Sequence, residues 1–494
     1  MSWSVSAPTL LVLLAGAFLV TPASAETIYV CWDGSGDCLT IQEGIGAASD
    51  GDTVLVCDGT YTGEGNRELD LCGKAITVRS LNGPAVTIID CEEAGRGLCF
   101  HNGEGPGSVV DGFTIINGCP GGYDDGGGVY CYASSPTISN CRIIDCSADE
   151  GGGIYCTDYS SPTIIDCVVS GNAATGQYGP GGGIFSYLGS PTIANCAVYG
   201  NAAGRNGGGG LRLRYGAPTI INCLIAGNTT SGDYAYGGGI YAKDTSATIA
   251  NCTIVGNSAD TGGGGIYCLG NGDLLIVNCT IVGNSSGHGG GISAEAHGEP
   301  VVVNCILWGD TAAVGPEIDV GCGSLHPVSM TISYSDVEGG EAAVCVVDWA
   351  TLIWGDGNID ADPLFVDPDG IDDDPNSWED NDYHLGLGSP CIDAGDPTFI
   401  ADPNDRDMDG QWRVWDGDDD GDWRVDMGSD EFASHCPGDL DGDGQIGLAD
   451  LAGLLANYGA TSGMTPADGD SDLDGDVDLS DLSALLAVYG TTCP

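Results

Sequence analysis

Basic residues are the scarcest chemistry in this chain. Its 494 residues carry 12 Lys and Arg against 71 Asp and Glu, a formal net charge of −59. Such a polyanion repels nucleic-acid phosphates and anionic membrane surfaces, so both are excluded as partners and bound cations are favoured. Long apolar runs are also missing. The stretch Leu10 to Val20 is too short for a comfortable membrane span, and no later stretch is long and apolar enough. What is plentiful is glycine, with 84 residues, and cysteine, with 23. A hydrophobic share of 42% supports a core and argues against wholesale disorder.

The apolar run is followed by Ala23-Ser24-Ala25, a small-residue cleavage site, so residues 1–25 read as a secretory signal. The signal lacks Lys or Arg in its first part, and an N-terminal membrane anchor is the alternative. The expectation is a secreted, extracellular or cell-surface protein with Glu26 near its mature N-terminus and no integral membrane segment in the mature chain. Disulfides persist in that compartment.

Residues 26–355 repeat. Cysteines follow the segments SPTISN, SPTIID, SPTIAN, APTIIN, SATIAN, LLIVN and VVVN, at Cys141, Cys167, Cys196, Cys223, Cys252, Cys279 and Cys305, in steps of 26 to 29 residues. Five residues after the cysteine stand Asn172, Asn201, Asn228, Asn257 and Asn284, with Cys146 and Asp310 at the two ends of the series. A glycine triplet keeps the same beat. A period of this size signals a solenoid. Each repeat holds short Ile-, Val- and Thr-rich segments bounded by Gly, Asn, Ser and Pro, a strand-turn signature without a helical stripe. Three strands per coil, stacked about 4.8 Å apart, make an all-β, single-stranded parallel β-helix.

These repeats resemble the right-handed parallel β-helix superfamily that includes pectate lyases and bacterial polymorphic outer-membrane proteins. Thr40 to Tyr61 resembles the N-terminal cap of that family, a short amphipathic helix followed by the first strand. The resemblance covers roughly Thr27 to Trp354. It implies the fold and leaves activity open, since one fold hosts many functions.

The ladder cysteines read as a buried thiol stack rather than bridges, because parallel side chains in a ladder rarely meet disulfide geometry. The asparagines read as turn residues whose amides bond coil to coil. Off the ladder, Cys31 with Cys38, Cys91 with Cys99, and Cys322 with Cys345 are candidates for pairing, with connectivity not deducible from sequence.

One outer face carries the candidate site. The position after the first strand residue gives Tyr130, Tyr155, Phe185, Arg212, Tyr241, Tyr267 and Ser293. Two residues further come Tyr132, Thr157, Tyr187, Arg214, Lys243, Leu269 and Glu295. Alternation puts both ranks on one side of the strands. Tyr155, Phe185, Tyr187, Arg212, Arg214, Tyr241, Lys243 and Tyr267 are the candidate substrate-binding residues: rings stack on sugars, and Arg or Lys pairs with carboxylates or sulfates of an acidic polysaccharide. The alternative is rings stacking on one another to stabilise the sheet. For catalysis the candidates are Lys243, Arg212 and Arg214, with Asp158 or Asp244 to orient a base in a lyase. A glycosidase needs two opposed carboxylates, and nothing pairs Asp158, Asp244 and Glu295 by spacing.

Residues 356–435 form an acidic Asp/Pro-rich segment, expected to be irregular and to cover the last coil, whose edge would otherwise be unpaired. Within it Asp416, Asp418 and Asp420 begin like a calcium loop, with a solvated acidic turn as the alternative. Residues 436–494 hold two loop-helix units 31 residues apart. The first supplies Asp439, Asp441, Asp443, Gln445 and Asp450, the second Asp470, Asp472, Asp474, Asp476, Asp478 and Asp481, the oxygen pattern of an EF-hand loop for Ca2+. The duplicated unit resembles a type I dockerin. That implies two bound calcium ions and docking onto a cohesin domain of a scaffold or cell-surface protein. Leu448-Ala449 and Leu479-Ser480 depart from the small polar pairs with which dockerins usually read cohesins. Cys436 and Cys493 flank the module as candidates for a staple.

The sequence thus reads as a non-catalytic binding protein for carbohydrate or protein, attached through a calcium-dependent dockerin. The alternative is a dockerin-borne polysaccharide lyase or glycoside hydrolase acting on acidic polysaccharide.

Overall fold

The computed structural model describes residues 25–122, 124–321, 325–370, 378, 381–401, 406–408, 410–411, 413–414, 424–432, 440, 445–461, 469 and 477–490. The signal segment falls outside them, as do Cys322, Cys436 and Cys493. Parallel strands wind into a solenoid with sheets of 13, 11, 10 and 7 strands along its length. The central coils therefore hold four strands rather than the three expected. The additional strand is short, as in Ala173–Ala174 and Ala202–Ala203. Two residues are too few to display an alternating pattern, which is why the sequence hides it.

Register is continuous from coil to coil. Ile164 pairs with Ile138 and Ile193, and Val169 with Ile143 and Val198. These residues point inward and are wholly buried in one core that runs the length of the solenoid. The corners need positive φ: Asp166 (54°) precedes Cys167, and Gly171 (66°) precedes Asn172. The turn conformation thus falls on the residues before the ladder positions, and Asn172 itself is buried.

Both ladders lie inside. Cys141 to Cys305 are buried free thiols, and Cys167 Sγ donates to the Ile165 carbonyl at 3.2 Å. Each asparagine donates Nδ2 to the Oδ1 of the next, at 2.9 Å from Asn172 to Asn201 through to Asn284, which bonds Asp310. The same amide also satisfies a buried carbonyl of the preceding coil, as Asn228 does for Val198. A ladder position thus ties three coils together.

At the N-terminal end a strand, Thr27–Val30, comes before the helix, so the expected order of helix and then first strand is corrected. The helix Ile41–Ala47 is closed by a capping box between Thr40 and Glu43 and lays Ile41, Gly44 and Ile45 over the end of the core. A disulfide joins Cys31 to Cys57, not to Cys38, because Tyr29–Val30 pairs with Leu55–Val56 and brings the following cysteines side by side. Cys91 and Cys99 are free.

The acidic segment runs along the side of the solenoid instead of only closing its end. Trp378, Tyr383 and Phe365 pack on Tyr199, Leu224, Ala226, Val255, Val282 and Trp308. Met427, Leu385 and Cys391 pack on Ile306 and Tyr334. Ser429 bonds Thr253 and Thr280 at 2.9 Å and 3.0 Å. The outward positions beneath the segment are apolar or hydroxylic, so they gain more from being covered than from facing water.

Candidate functional site

The two outward ranks of the glycine-triplet sheet fare differently. The first, in register from Cys99 through Tyr130, Tyr155, Phe185, Arg212, Tyr241 and Tyr267 to Ser293, lies outside the solenoid core. Yet Tyr155, Phe185, Arg212, Tyr241 and Tyr267 are all buried. The expectation of two open ranks is corrected here, and the reason is the glycine triplet. Gly151 has φ +61°, and a Cβ on it would sit 2.7 Å from the Tyr155 Cβ. Glycine lets the chain fold back directly over the first rank. A Cβ on Gly153 would lie 2.6 Å from the Gly183 carbonyl. The preceding loops then cover the rank: the Tyr236 ring stacks on Tyr267 at 4.2 Å and meets Tyr241 edge-on at 6.0 Å. Tyr130 also stacks on Tyr155 at 5.9 Å, and Tyr155 meets Phe185 edge-on at 5.2 Å.

The second rank is more open. Tyr132 is exposed, and Thr157, Tyr187, Arg214, Lys243 and Leu269 are half-buried, while Glu295 is buried. Arg214 pairs in register with Lys243, and Arg212 with Tyr241. Three of the chain's few cations therefore share two adjacent strands. Among the described residues none of the three forms an ion pair with a carboxylate. Aromatic faces hold the two arginines instead: Arg212 Cζ lies 3.4 Å from the Tyr241 ring centroid, and Arg214 Cζ lies 5.4 Å from that of Tyr187 and 5.0 Å from that of Tyr215. Arg214 Nη2 also donates to the Tyr215 hydroxyl at 3.3 Å. Nε and Nη1 of Arg212 and Nε of Arg214 are buried without a hydrogen-bond partner. Burial lowers the Arg212 pKa, and burial followed by the two arginines lowers that of Lys243.

Acidic groups flank this cationic centre. Toward the N-terminal coils, burial and then Glu150 and Asp149 push Asp125 up to about 7, and burial raises Glu150. Toward the C-terminal coils burial raises Glu295, whose neighbours are Tyr267, Asp319 and His288. Asp158 and Asp244 sit at left-handed turns, φ 54° and 51°, and Asp244 accepts from the Asn271 amide at 3.1 Å. They stand three coils apart, roughly 14 Å at the usual strand spacing. That exceeds the separation of paired glycosidase carboxylates.

The covering loops hold residues that the sequence reading missed. Arg205 lies between exposed Tyr178 and Tyr234, at 5.7 Å and 4.6 Å from their ring centroids. Tyr234, Tyr236, Asp233, Asp260, Gly232 and Thr261 line an open groove of about 650 Å³. A signal for them exists. The steps from Cys167 to Cys196 and from Cys223 to Cys252 are the long ones, and their extra residues carry Tyr178, Tyr234 and Tyr236.

In the C-terminal module the helices Leu448–Asn457 and Leu479–Val488 follow the two loops. Gly459 N bonds the Val477 carbonyl and Gly490 N bonds the Ile446 carbonyl, both at 2.7 Å, so the duplicated units exchange equivalent bonds. Ile446, Leu454, Val477 and Leu485 form the core between them. Asp450 and Asp481 are buried at the twelfth loop position. Asp450 accepts from Leu440 N at 2.7 Å and Gly447 N at 2.6 Å, which draws the two ends of the first loop together. Asp481 accepts from Asp478 N at 2.7 Å. Asp439, Asp441, Asp443, Asp470, Asp472, Asp474 and Asp476 lie outside the described residues, as do Asp416, Asp418 and Asp420. Among the described residues no three candidate ligands gather around one point, and no helix is long and apolar enough to cross a membrane.

A solenoid of in-register parallel coils with inward ladders defines the class to which this molecule belongs, the parallel β-helices. The chain belongs to the right-handed β-helix family: the model of the right handed beta helix region matches residues 42–196 and 177–351. Among solved structures it is similar to pectate lyase Pel9A, at 13% identity over 83% of this chain and 97% of that one, TM-score 0.41. A rhamnogalacturonan lyase matches at 15% identity over 74% and 97%, TM-score 0.41. The catalytic domain of a GH87 alpha-1,3-glucanase (D1068A, in complex with tetrasaccharides) matches at 14% over 62% and 64%, TM-score 0.36. These likenesses are of fold alone. No curated protein matches the chain.

Proposed function

We propose that this is a secreted, non-catalytic carbohydrate-binding protein whose β-helix reads an acidic polysaccharide at Arg214 and Lys243, flanked by Tyr187 and Tyr215. The observation that carries this reading is the way the cations are held. In a chain this acidic, Arg212, Arg214 and Lys243 have no carboxylate within ion-pair distance among the described residues, and ring faces fix the guanidinium groups instead. A carboxylate partner would neutralise the cluster. A tyrosine face anchors a guanidinium and leaves its charge and its outer donors for an incoming anion. Arg212, buried on the same strand as Arg214, adds its charge beside the pair. The test is binding of the full chain to a glycan array that includes uronate-rich and sulfated polymers. Arg214→Ala with Lys243→Ala is expected to weaken the best signal at least about tenfold, and that signal is expected to fall steeply with salt. Unchanged binding in the double variant would overturn the reading.

A polysaccharide lyase is the second reading, favoured by one observation: burial and then the two neighbouring arginines lower the Lys243 pKa, the direction a general base needs. Unsaturated products from an acidic polysaccharide would decide for it.

The C-terminal module is read as a calcium-dependent dockerin that attaches the protein to a cohesin-bearing scaffold or cell surface. Its two halves expose equivalent apolar strips, Leu448, Leu455 and Tyr458 in one and Leu479, Leu486 and Tyr489 in the other. Helix-borne apolar strips related by an internal twofold support docking in two equivalent orientations, with apolar rather than small polar contacts at the outset of each helix. Chelation of calcium is expected to cost most of the module's helical circular-dichroism signal, and Asp450→Ala with Asp481→Ala to reproduce that loss with calcium present. A module equally helical in chelator would overturn the calcium reading.

A further inference from the structure

We infer that Cys99, on the first coil of the same sheet, is an imidazole-activated surface thiol that exchanges with external disulfides. The strand Leu98–Phe100 buries Leu98 and Phe100 in the core and turns Cys99 outward. His101 follows on the same side by alternation. Cys99 Sγ and His101 Nδ1 are 3.1 Å apart. The other ring nitrogen, His101 Nε2, lies 3.7 Å from Asp70 Oδ2. Asp70 is itself held: its Oδ1 accepts from Cys72 N at 2.6 Å, Asn102 Nδ2 reaches both its oxygens at 3.0 Å, and its own N–H donates to Gln42 Oε1 at 2.9 Å. Nucleophile, base and orienting carboxylate therefore stand in line, with the base between the other two.

The partial burial of the thiol explains why it needs that base. Burial pushes Cys99 up to about 11; Glu68, Asp70 and Glu104 add to the shift and Arg96 opposes it. Tyr130 flanks it on the next strand. The resting group at neutral pH is thus a thiol, and its proton has an acceptor in His101 Nδ1. The carboxylate favours the tautomer with the proton on Nε2, which leaves Nδ1 free to accept. In the exchange, the Sγ proton passes to Nδ1 as Sγ attacks one sulfur of the external disulfide. A new sulfur–sulfur bond forms to Cys99, the old one breaks, and the departing thiolate takes the proton back from His101. The imidazolium formed in between faces Asp70. Oxidation state is conserved, since one disulfide replaces another.

The surrounding carboxylates also select the reagent. With Glu68, Asp70 and Glu104 near and a strongly negative chain behind them, a cationic disulfide approaches more readily than an anionic one.

The molecule contains its own reference. Cys72 is an exposed free thiol, and its hydrogen bonds run to Asp70 with no imidazole. The experiment is timed reaction of the full chain with cystamine at pH 7, followed by peptide mapping of the mixed disulfides. Cys99 is expected to react at least about tenfold faster than Cys72 although it is less exposed. His101→Ala is expected to remove that advantage and leave the Cys72 rate unchanged. Asp70→Asn is expected to slow Cys99 toward the His101→Ala rate, because the ring then loses the carboxylate that orients it. Oxidised glutathione should be slower than cystamine, with the gap closing at high salt. Two results would overturn the inference: Cys99 no faster than Cys72, or a rate indifferent to His101→Ala.

Discussion

Asp310 ends the asparagine ladder with a carboxyl in place of the amide. Its Oδ1 accepts from Asn284 N and Nδ2, at 2.6 Å and 2.9 Å, as an asparagine would. Its Oδ2 occupies the place of the missing amide; it and Glu317 Oε2 are buried with no amide or hydroxyl donor, and the two carboxyls bond to one another. Glu317 Oε1 in turn accepts from Asp310 N at 3.1 Å. Burial pushes Asp310 up to about 7, and burial with the Asp310 charge raises Glu317 further, so the pair holds a proton through neutrality. A carboxyl raised in the fold stabilises it fully below its unfolded pKa, near 3.8, and that contribution is lost as pH rises through about 7. Asp310→Asn completes the ladder and removes the titration. Urea unfolding is expected to show the variant about 1–3 kcal/mol more stable than wild type at pH 8, with the gap closing toward pH 5. A constant gap would mean that the pair does not titrate in the fold.

At the scale of the element, the strand with its glycine triplet was the most visible feature of the sequence and the most misleading. Period, register and the inward residues of each coil could be read directly, because Ile, Val, Cys and Asn recur at fixed offsets and each has a physical reason to be inside. The outward rank could not. Tyr155 and Tyr241 alternate correctly away from the core, yet a second layer covers them, and that layer comes from loops that vary in length and obey no period. Only the uneven steps of the repeat hinted at it. Tyr236→Ala is expected to uncover Tyr267 and cost about 1–2 kcal/mol through lost ring stacking and burial. Second-derivative tyrosine absorbance, read with the melting temperature, checks both effects.

For the whole molecule, the acidic segment is structural. Its composition gave no sign of where it lies, since Asp and Pro dominate and the few residues that dock, Trp378, Tyr383, Phe365 and Met427, are scattered through it. The complementary signal was in the solenoid, where Ala226, Val255, Val282 and Trp308 stand on an outward face that solvent would otherwise reach. A chain ending after residue 355 is expected to expose that strip. It should bind a hydrophobic dye and self-associate at concentrations where the full chain stays monodisperse; a monodisperse, dye-silent truncation would show that the strip needs no cover.

The lengthwise course of this segment also sets how tension would travel. In a bare solenoid each coil grips only its neighbours, and a pull on the last coil peels the stack one turn at a time. Here the chain that leads to the C-terminal module is fastened along coils from Tyr199 to Tyr334. A load applied through the module is therefore shared in shear across several turns at once, and the terminal turn is spared the whole of it. The segment works as a strain relief, like the sleeve where a cable enters a plug.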